Sequence, residues 1–415
     1  MWRSYPKGDL DEFRAEYNKL IGAVDEESVA KVQKLLEGPI LKNASTNKMN
    51  TLDEFLRTPL FYAVSIKNYE IVKLLVEHGK AKANVQCTKK EKTPLLLAVS
   101  QKNHLIAKYL LTRAKANPNL ASSDGNAPLT IAIRLQDLDM VDMLLRANAD
   151  SNILSPTQMT PLTYAVMNKN YEIVARLVKH GARVNDRRVK FTALSLATLQ
   201  LSIKLVRFLI EKGADVNAVN SNGTTALLVA TQLENMDFVQ YLIRKGANVN
   251  TVSVRAGDET DFYTPLTNAV DRDNEDMVEY FVRKAGADVN AHPENSPRTT
   301  LYHALVKGNI RVIRLLLEHG AKMHVGFLNF YKTRGGISGT VYSMMRGTLL
   351  HLMRDIIQSR RTEELKKLSA NKQPIPMDLV SMVSAYSEPT WEEIQPLVLF
   401  QSEPYPMLPD LLVTV

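Results

Sequence analysis

The sequence has little of what secreted, membrane-spanning or disulfide-rich proteins carry. Its 415 residues include one cysteine, Cys87, so an intramolecular disulfide is excluded. No run of about 18 apolar residues occurs, and the N-terminal stretch MWRSYPKGDLDEF lacks the apolar segment of a signal peptide. We therefore expect an intracellular protein, cytoplasmic or nuclear, that is neither secreted through a signal peptide nor inserted into a membrane.

The sequence also lacks a strong excess of positive or negative charge. Lysine and arginine total 52 against 44 aspartate and glutamate residues, which gives a formal net charge of +8. So small an excess over this length weakly favours an acidic partner and gives no reason to expect nucleic acid. Hydrophobic residues make up 45% of the chain, which is enough for a continuous core.

Reactive side chains form no recognisable catalytic or metal-binding motif. His78, His180 and His319 each precede a glycine that ends a helical pattern, where an imidazole can bond terminal carbonyl groups. The glycine-containing segment 334–340 lacks the lysine of a phosphate-binding loop. We expect no enzyme activity, cofactor, metal site or small-molecule substrate.

The sequence does contain a short unit of two amphipathic helices, seen clearly in residues 225–250. A threonine precedes a first apolar segment, Glu234 and Asn235 interrupt it, and a second apolar stripe follows at helical spacing. Gly246 ends the second helix, and Val-Asn leads out into an extended turn. So short a helix pair cannot bury its apolar face alone, and it therefore requires neighbouring copies.

Copies of the unit recur at intervals of 32 to 39 residues, and their equivalent entry positions are Thr58, Thr93, Ala127, Thr160, Thr192, Thr225, Thr264 and Thr299. The chain therefore resembles the ankyrin-repeat family, whose period is about 33 and whose hallmark is Thr-Pro-Leu-His-x-Ala. The resemblance covers roughly residues 20–360. It implies an all-α solenoid of stacked helix-turn-helix units, with short β-hairpin turns and a small helical C-terminal appendage.

The period divides the chain into five predicted parts. Residues 1–19 are a lead-in helix, 20–56 an N-terminal capping repeat with a polar connection, and 57–323 ankyrin repeats 1 to 8. Residues 324–371 hold an insertion loop and a degenerate C-terminal repeat. The proline-containing residues 372–415 form a helical tail.

Two features of the repeats need an interpretation. An insertion between Asn250 and Thr264 is read as a surface loop, with a binding edge as the alternative. The asparagines of the Val-Asn exits are interpreted as turn residues that bond nearby backbone: Asn185, Asn217, Asn250 and Asn290.

In the ankyrin-repeat family the hairpin tips and first helices line a concave face that binds proteins, so the resemblance implies a non-catalytic scaffold or adaptor. Carrying these positions over selects cationic, aromatic and apolar side chains, the types that dominate interfaces. Packing between repeats is the alternative for the apolar ones, and the basic tips favour an acidic protein partner. The candidate contact residues are Arg57, Ile66, Lys89, Lys92, Arg134, Leu135, Met167, Arg188, Phe191, Leu199, Tyr263, Arg272 and Arg298.

The tail suggests an alternative role. Residues 374–386, a proline-led amphipathic segment, resemble the start of an F-box-type motif, and the tail is more loosely similar to a SOCS box. Such an element would recruit a cullin-type ubiquitin ligase while the repeats bind its substrate. The other interpretation is that the tail folds back over the last repeat. The candidate adaptor-binding residues are Leu379, Val380, Met382, Val383 and Tyr386.

Overall fold

The computed structural model describes residues 7–44, 49–53, 55–220, 223–255, 258–291, 299–324 and 399–400. The predicted insertion and degenerate repeat in 325–371 lie outside these residues. So do the tail apart from 399–400, its five candidate adaptor-binding residues, and Arg298.

Short helices arranged in pairs dominate the described residues. In chain order they are α1 (Lys7–Asp25), α2 (Val29–Glu37), α3 (Pro39–Lys42), α4 (Pro59–Ser65), α5 (Tyr69–Glu77), α6 (Pro94–Ser100), α7 (His104–Thr112), α8 (Pro128–Arg134), α9 (Leu138–Arg146), α10 (Pro161–Met167), α11 (Tyr171–Lys179), α12 (Ala193–Leu199), α13 (Ile203–Glu211), α14 (Ala226–Gln232), α15 (Met236–Arg244), α16 (Pro265–Asp271), α17 (Glu275–Arg283), α18 (Thr300–Lys307) and α19 (Ile310–Glu318). The strands are β1 (Ser253–Arg255), β2 (Asp258–Tyr263), β3 (Met323–His324) and β4 (Leu399–Phe400).

The entry threonines start the first helix of each repeat. The Thr58 hydroxyl oxygen accepts the backbone N–H of Phe61, which satisfies one of the amides that a helix start leaves free. Thr93, Thr160, Thr192, Thr225, Thr264 and Thr299 cap their helices in the same way. Ala127 keeps the extended backbone of a cap without a hydroxyl group.

A second cap, which the sequence interpretation missed, starts the second helix. Asn68 accepts the N–H of Ile71. Asn103, Asp137, Asn170, Asn235, Asn274 and Asn309 act likewise, whereas Ser202 makes no such bond. The residue before each of these caps has a positive φ, which lets the chain reverse between the helices: Lys67, Lys102, Gln136, Lys169, Leu201, Glu234, Asp273 and Gly308.

The core lies between paired helices and between neighbouring pairs. First helices pack on first helices, as α4 does on α6, and second helices pack on second helices, as α5 does on α7. Leu60, Leu95 and Leu129 are buried at this contact, and each contributes about 1.5–3 kcal/mol relative to an exposed side chain. The chain divides into two compact units, residues 1–215 and 216–415, and an all-α stack of paired short helices builds each of them.

The N-terminal segments differ from the prediction. The predicted boundary between residues 19 and 20 falls inside α1, because Phe13, Tyr17 and Leu20 lie on one buried stripe with no helix breaker between them. The helix is therefore continuous, and it packs against α2 and α4. The connection that follows contains the short helix α3 and buries Leu41 and Met49, so it is not purely polar.

The insertion before Thr264 forms a β-hairpin rather than an irregular loop. Strands β1 and β2 pair antiparallel, with Ser253 opposite Tyr263 and an irregularity between Val254 and Arg255. The valine- and aromatic-containing flanks of the insertion have high strand propensity, which accounts for the pairing. Separately, β3 at the exit of repeat 8 pairs in parallel with β4.

The exit asparagines act between repeats, which corrects the local interpretation. The Asn185 Oδ1 atom accepts the backbone N–H of Asp215 at 2.9 Å, and its Nδ2 donates to the carbonyl of Gly213 at 2.8 Å. Asn152 bonds Arg183 and Gly181 in the same two-point clamp, and Asn50, Asn217 and Asn290 repeat it. Asn250 supplies only the acceptor, to the N–H of Asp288. A side-chain amide carries its donor and its acceptor on two separate atoms, so one asparagine can bond both backbone groups.

We predict that Asn152→Ala lowers the free energy of unfolding by about 1–3 kcal/mol, because two hydrogen bonds to the next repeat are lost. Asn84 is the matched control, since its side chain makes one such bond, accepting the N–H of Asn117 at 2.7 Å. Asn84→Ala should cost about half as much. Urea unfolding followed by circular dichroism measures both, and equal losses would contradict the two-point clamp.

Candidate functional site

The ends of the first helices in repeats 4 and 5 expose apolar side chains. Met167 and Leu199, at equivalent positions of α10 and α12, are 40% and 46% exposed. Ile66 and Leu135, the other two apolar candidates, stand one position further on, just after α4 and α8, and are half-buried. Because α10 packs against α12, Met167 and Leu199 lie on the same edge of the first unit.

Repeat 5 extends this apolar edge with two residues that the sequence interpretation missed. Leu201 and Ile203 are both exposed, on either side of the turn that joins α12 to α13. Leu201 has a φ of 53°, a backbone conformation costing a non-glycine residue about 1 kcal/mol. Other repeats of the first unit place polar residues there: Lys67, Lys102, Gln136 and Lys169. We call Met167, Leu199, Leu201 and Ile203 the repeat-5 patch.

Arg57 is held by its own repeat. Its guanidinium lies 4.6 Å from the centre of the Phe55 ring and 4.0 Å from that of Tyr62, and its Nε lies 3.7 Å from Asp53. The Tyr62 hydroxyl donates to Asp53 at 3.0 Å. Burial, followed by the Asp53 carboxylate, raises the pKa of Tyr62 to about 12. These contacts fix the side chains of the first hairpin tip.

Arg188 is also engaged within the chain. Its Nη2 and Nε atoms lie 2.5 and 2.9 Å from the two carboxylate oxygens of Asp186, and Nη2 also donates to the carbonyl of Asn152. The pKa of the buried Asp186 is lowered, chiefly by these bonds from Arg188. Arg188 therefore ties the tip of repeat 5 to the segment that leaves repeat 3.

The remaining candidates differ in how far they reach solvent. Lys89 is exposed, whereas Lys92 and Phe191 are half-buried, and Lys190 lies 5.7 Å from the Phe191 ring centre. Arg134 is exposed and bonds Asn126 weakly at 3.4 Å. Arg272 lies 3.6 Å from Glu234 and is also exposed.

The expected exposure of Tyr263 was wrong, because only 8% of this residue is exposed. It stands at the end of β2, where pairing with Ser253 holds the backbone beside the entry of the next helix.

In the described residues, histidine side chains bond helix ends or a neighbouring repeat. The Nδ1 atoms of His180 and His319 lie 2.9 and 2.8 Å from the carbonyls of Arg176 and Leu315, at helix ends. His303 pairs with Asp271 of the preceding repeat at 2.8 Å. Over the described part of the chain, no cluster of metal-ligating side chains and no helix capable of crossing a bilayer is found.

We predict a pH-dependent contribution from Asp186. Because its pKa is lowered in the folded chain, its ion pair stabilises the fold fully above about pH 4. The contribution is lost as the pH falls through the lowered pKa. Asp186→Asn should therefore lower the urea midpoint at pH 6 more than at pH 3. A loss of the same size at both pH values would show that the charge does not contribute.

Comparison with known proteins agrees with this architecture. A family model described as ankyrin repeats, in three copies, matches residues 20–122, 106–188, 185–253 and 252–326. The matches together span residues 20–326, which is more than half of the 415 residues and ends short of the extent that we expected. No curated protein matches the chain. With its eight phased entry positions, paired helices and matched repeats, the chain belongs to the ankyrin-repeat family.

Proposed function

We propose that this chain is a non-catalytic scaffold or adaptor, and that the repeat-5 patch is one of its contact surfaces for a partner protein. Ankyrin repeats imply protein–protein interaction, and the family comparison matches only ankyrin repeats in this chain. The partner-binding roles of individual residues stay predictions.

The repeat-5 patch carries this proposal because it combines exposed apolar side chains with weakened local structure. Ser202 gives the following helix no side-chain cap, and Leu201 places an apolar side chain in a turn whose positive φ the other repeats share. Equivalent turns use a polar residue and a capping asparagine or aspartate, which stabilise a helix start by about 1 kcal/mol. A site that gives up local stability while exposing leucine side chains is typical of a functional surface.

The first unit also carries an exposed arginine of the kind that is frequent at protein interfaces. Arg134 is exposed at the end of α8, in the same row as Met167 and Leu199. Arginine beside exposed apolar residues is a frequent combination at binding hot spots. The edge therefore fits a protein surface with an apolar centre better than it fits a small polar ligand.

The test is capture of partners from a cell lysate by the full chain. Replacing Met167 and Leu199 with serine and Leu201 with lysine should remove partners that use the patch. The free energy of unfolding should change by no more than about 0.5 kcal/mol, because all three side chains are exposed. Leu105→Ser is the matched control, since Leu105 is 58% exposed on a second helix. Identical captured proteins from the triple variant and the control would contradict this role of the patch.

A finer version of the proposal makes the chain a substrate-recognition subunit of a cullin-type ubiquitin ligase. Its support is the likeness of residues 374–386 to an F-box-type motif, and those residues lie outside the described part. The competing interpretation, a tail that returns to the last repeat, is supported by the pairing of Leu399–Phe400 with Met323–His324. Capture of a cullin adaptor by the full chain, but not by a chain ending near residue 370, would favour the ligase role.

A further inference from the structure

We propose that the first two hairpin tips bind an acidic protein segment that carries an apolar anchor residue. Tip 1 comprises Asp53 and residues 55–57, and tip 2 comprises residues 88–92. This inference rests on the proposed function, since it names the chemistry of one partner. It concerns a surface separate from the repeat-5 patch, so the two can fail independently.

Tip 1 presents apolar side chains where other tips present polar ones. Phe55 and Leu56 are 60% and 40% exposed. In repeats 2, 3 and 4 the equivalent pairs are Lys90-Glu91, Asp124-Gly125 and Thr157-Gln158, and in repeat 5 the pair is Val189-Lys190, whose valine is buried. Apart from its contact with Arg57, an exposed phenylalanine adds little to folding, so the pair is better explained by a contact with another molecule.

The backbone of tip 1 has the same turn conformation as the next three tips. Leu56 has a φ of 59°, and the equivalent Glu91, Gly125 and Gln158 have φ values of 54°, 72° and 56°. A non-glycine residue adopts this conformation at a cost of about 1 kcal/mol. Tip 1 differs from those tips in exposing a branched apolar side chain at this position.

The Phe55 ring, the proposed contact for the partner, is held in place by contacts within the chain itself. The Arg57 guanidinium lies over both the Phe55 ring and the Tyr62 ring, and Asp53 contacts Arg57 and Tyr62. Fixing an interface side chain in advance lowers the entropy lost on binding. The Phe55 ring therefore has the properties of a preorganised contact.

Tip 2 supplies the charge that selects the partner. The backbone N–H of Thr88 donates to the carbonyl of Leu56 at 2.6 Å, so the two tips are directly joined. Lys89 and Lys90 follow at once and both are exposed, and Lys90 also acts electrostatically on the carboxylate of Asp124 in the next tip. Two lysines beside an apolar pair complement a segment with acidic residues next to a leucine or an aromatic side chain.

The test is selection from a display library of random linear peptides on the full chain. Peptides that combine several Asp or Glu residues with one large apolar residue should be enriched. Their affinity should fall about tenfold or more for Phe55→Ser, the size of loss expected for a hot-spot residue. Lys89→Glu with Lys90→Glu should also weaken binding and should reduce its dependence on salt.

Controls separate this surface from others. Leu105→Ser and Lys102→Glu remove an exposed apolar side chain and an exposed charge elsewhere in the first unit, and neither should change peptide affinity. Thermal unfolding of each variant checks that the fold is retained. A selection that yields only basic or uncharged peptides, or none that depend on Phe55, would overturn the proposal. Peptides that depend on Met167 and Leu199 instead would overturn it while leaving the proposed function intact.

Discussion

A seven-residue helix paired with a nine-residue helix has an apolar face that it cannot bury alone, and every other feature of the chain follows from that constraint. Each pair must lie against its neighbours in a fixed register, so the contacts between repeats matter as much as those within them. Buried leucines such as Leu60 and Leu95 supply most of the free energy that stabilises the stack. The asparagine clamps orient neighbouring repeats, because they join a side chain of one repeat to defined backbone groups of the next.

The same constraint explains where binding residues can arise. Tyr263 is buried, and Arg188, although exposed, pairs with Asp186, so both side chains contribute to the fold. Turns and tips are less constrained. At Leu201 and Leu56 they expose a leucine where the equivalent turns carry a polar residue or glycine. Buried side chains fill the interior of each repeat, and these exposed leucines lie at its edges.

Much of the fold could be predicted from the sequence because repeats reinforce one another. The entry threonines and the glycines after the second helices recur in phase, so the helix pairs and their stacking could be inferred. The local signals of single positions were weaker. An asparagine that bonds across about 30 residues looks the same in sequence as one that bonds its own turn. The exposed Leu201 and Ile203 were missed because the family positions direct attention to helix ends, not to the turn beyond them.

The clamp between repeats is tested most directly by hydrogen exchange at the amides that it holds. Arg183 and Asp215 are exposed residues, and their N–H groups bond Asn152 and Asn185 of the preceding repeat. Both amides should exchange more slowly than the intrinsic rate of an open chain. In Asn152→Ala the amide of Arg183 should lose its protection while that of Asp215 keeps it. Rapid exchange at Arg183 in the unaltered chain, or unchanged protection in the variant, would contradict the clamp.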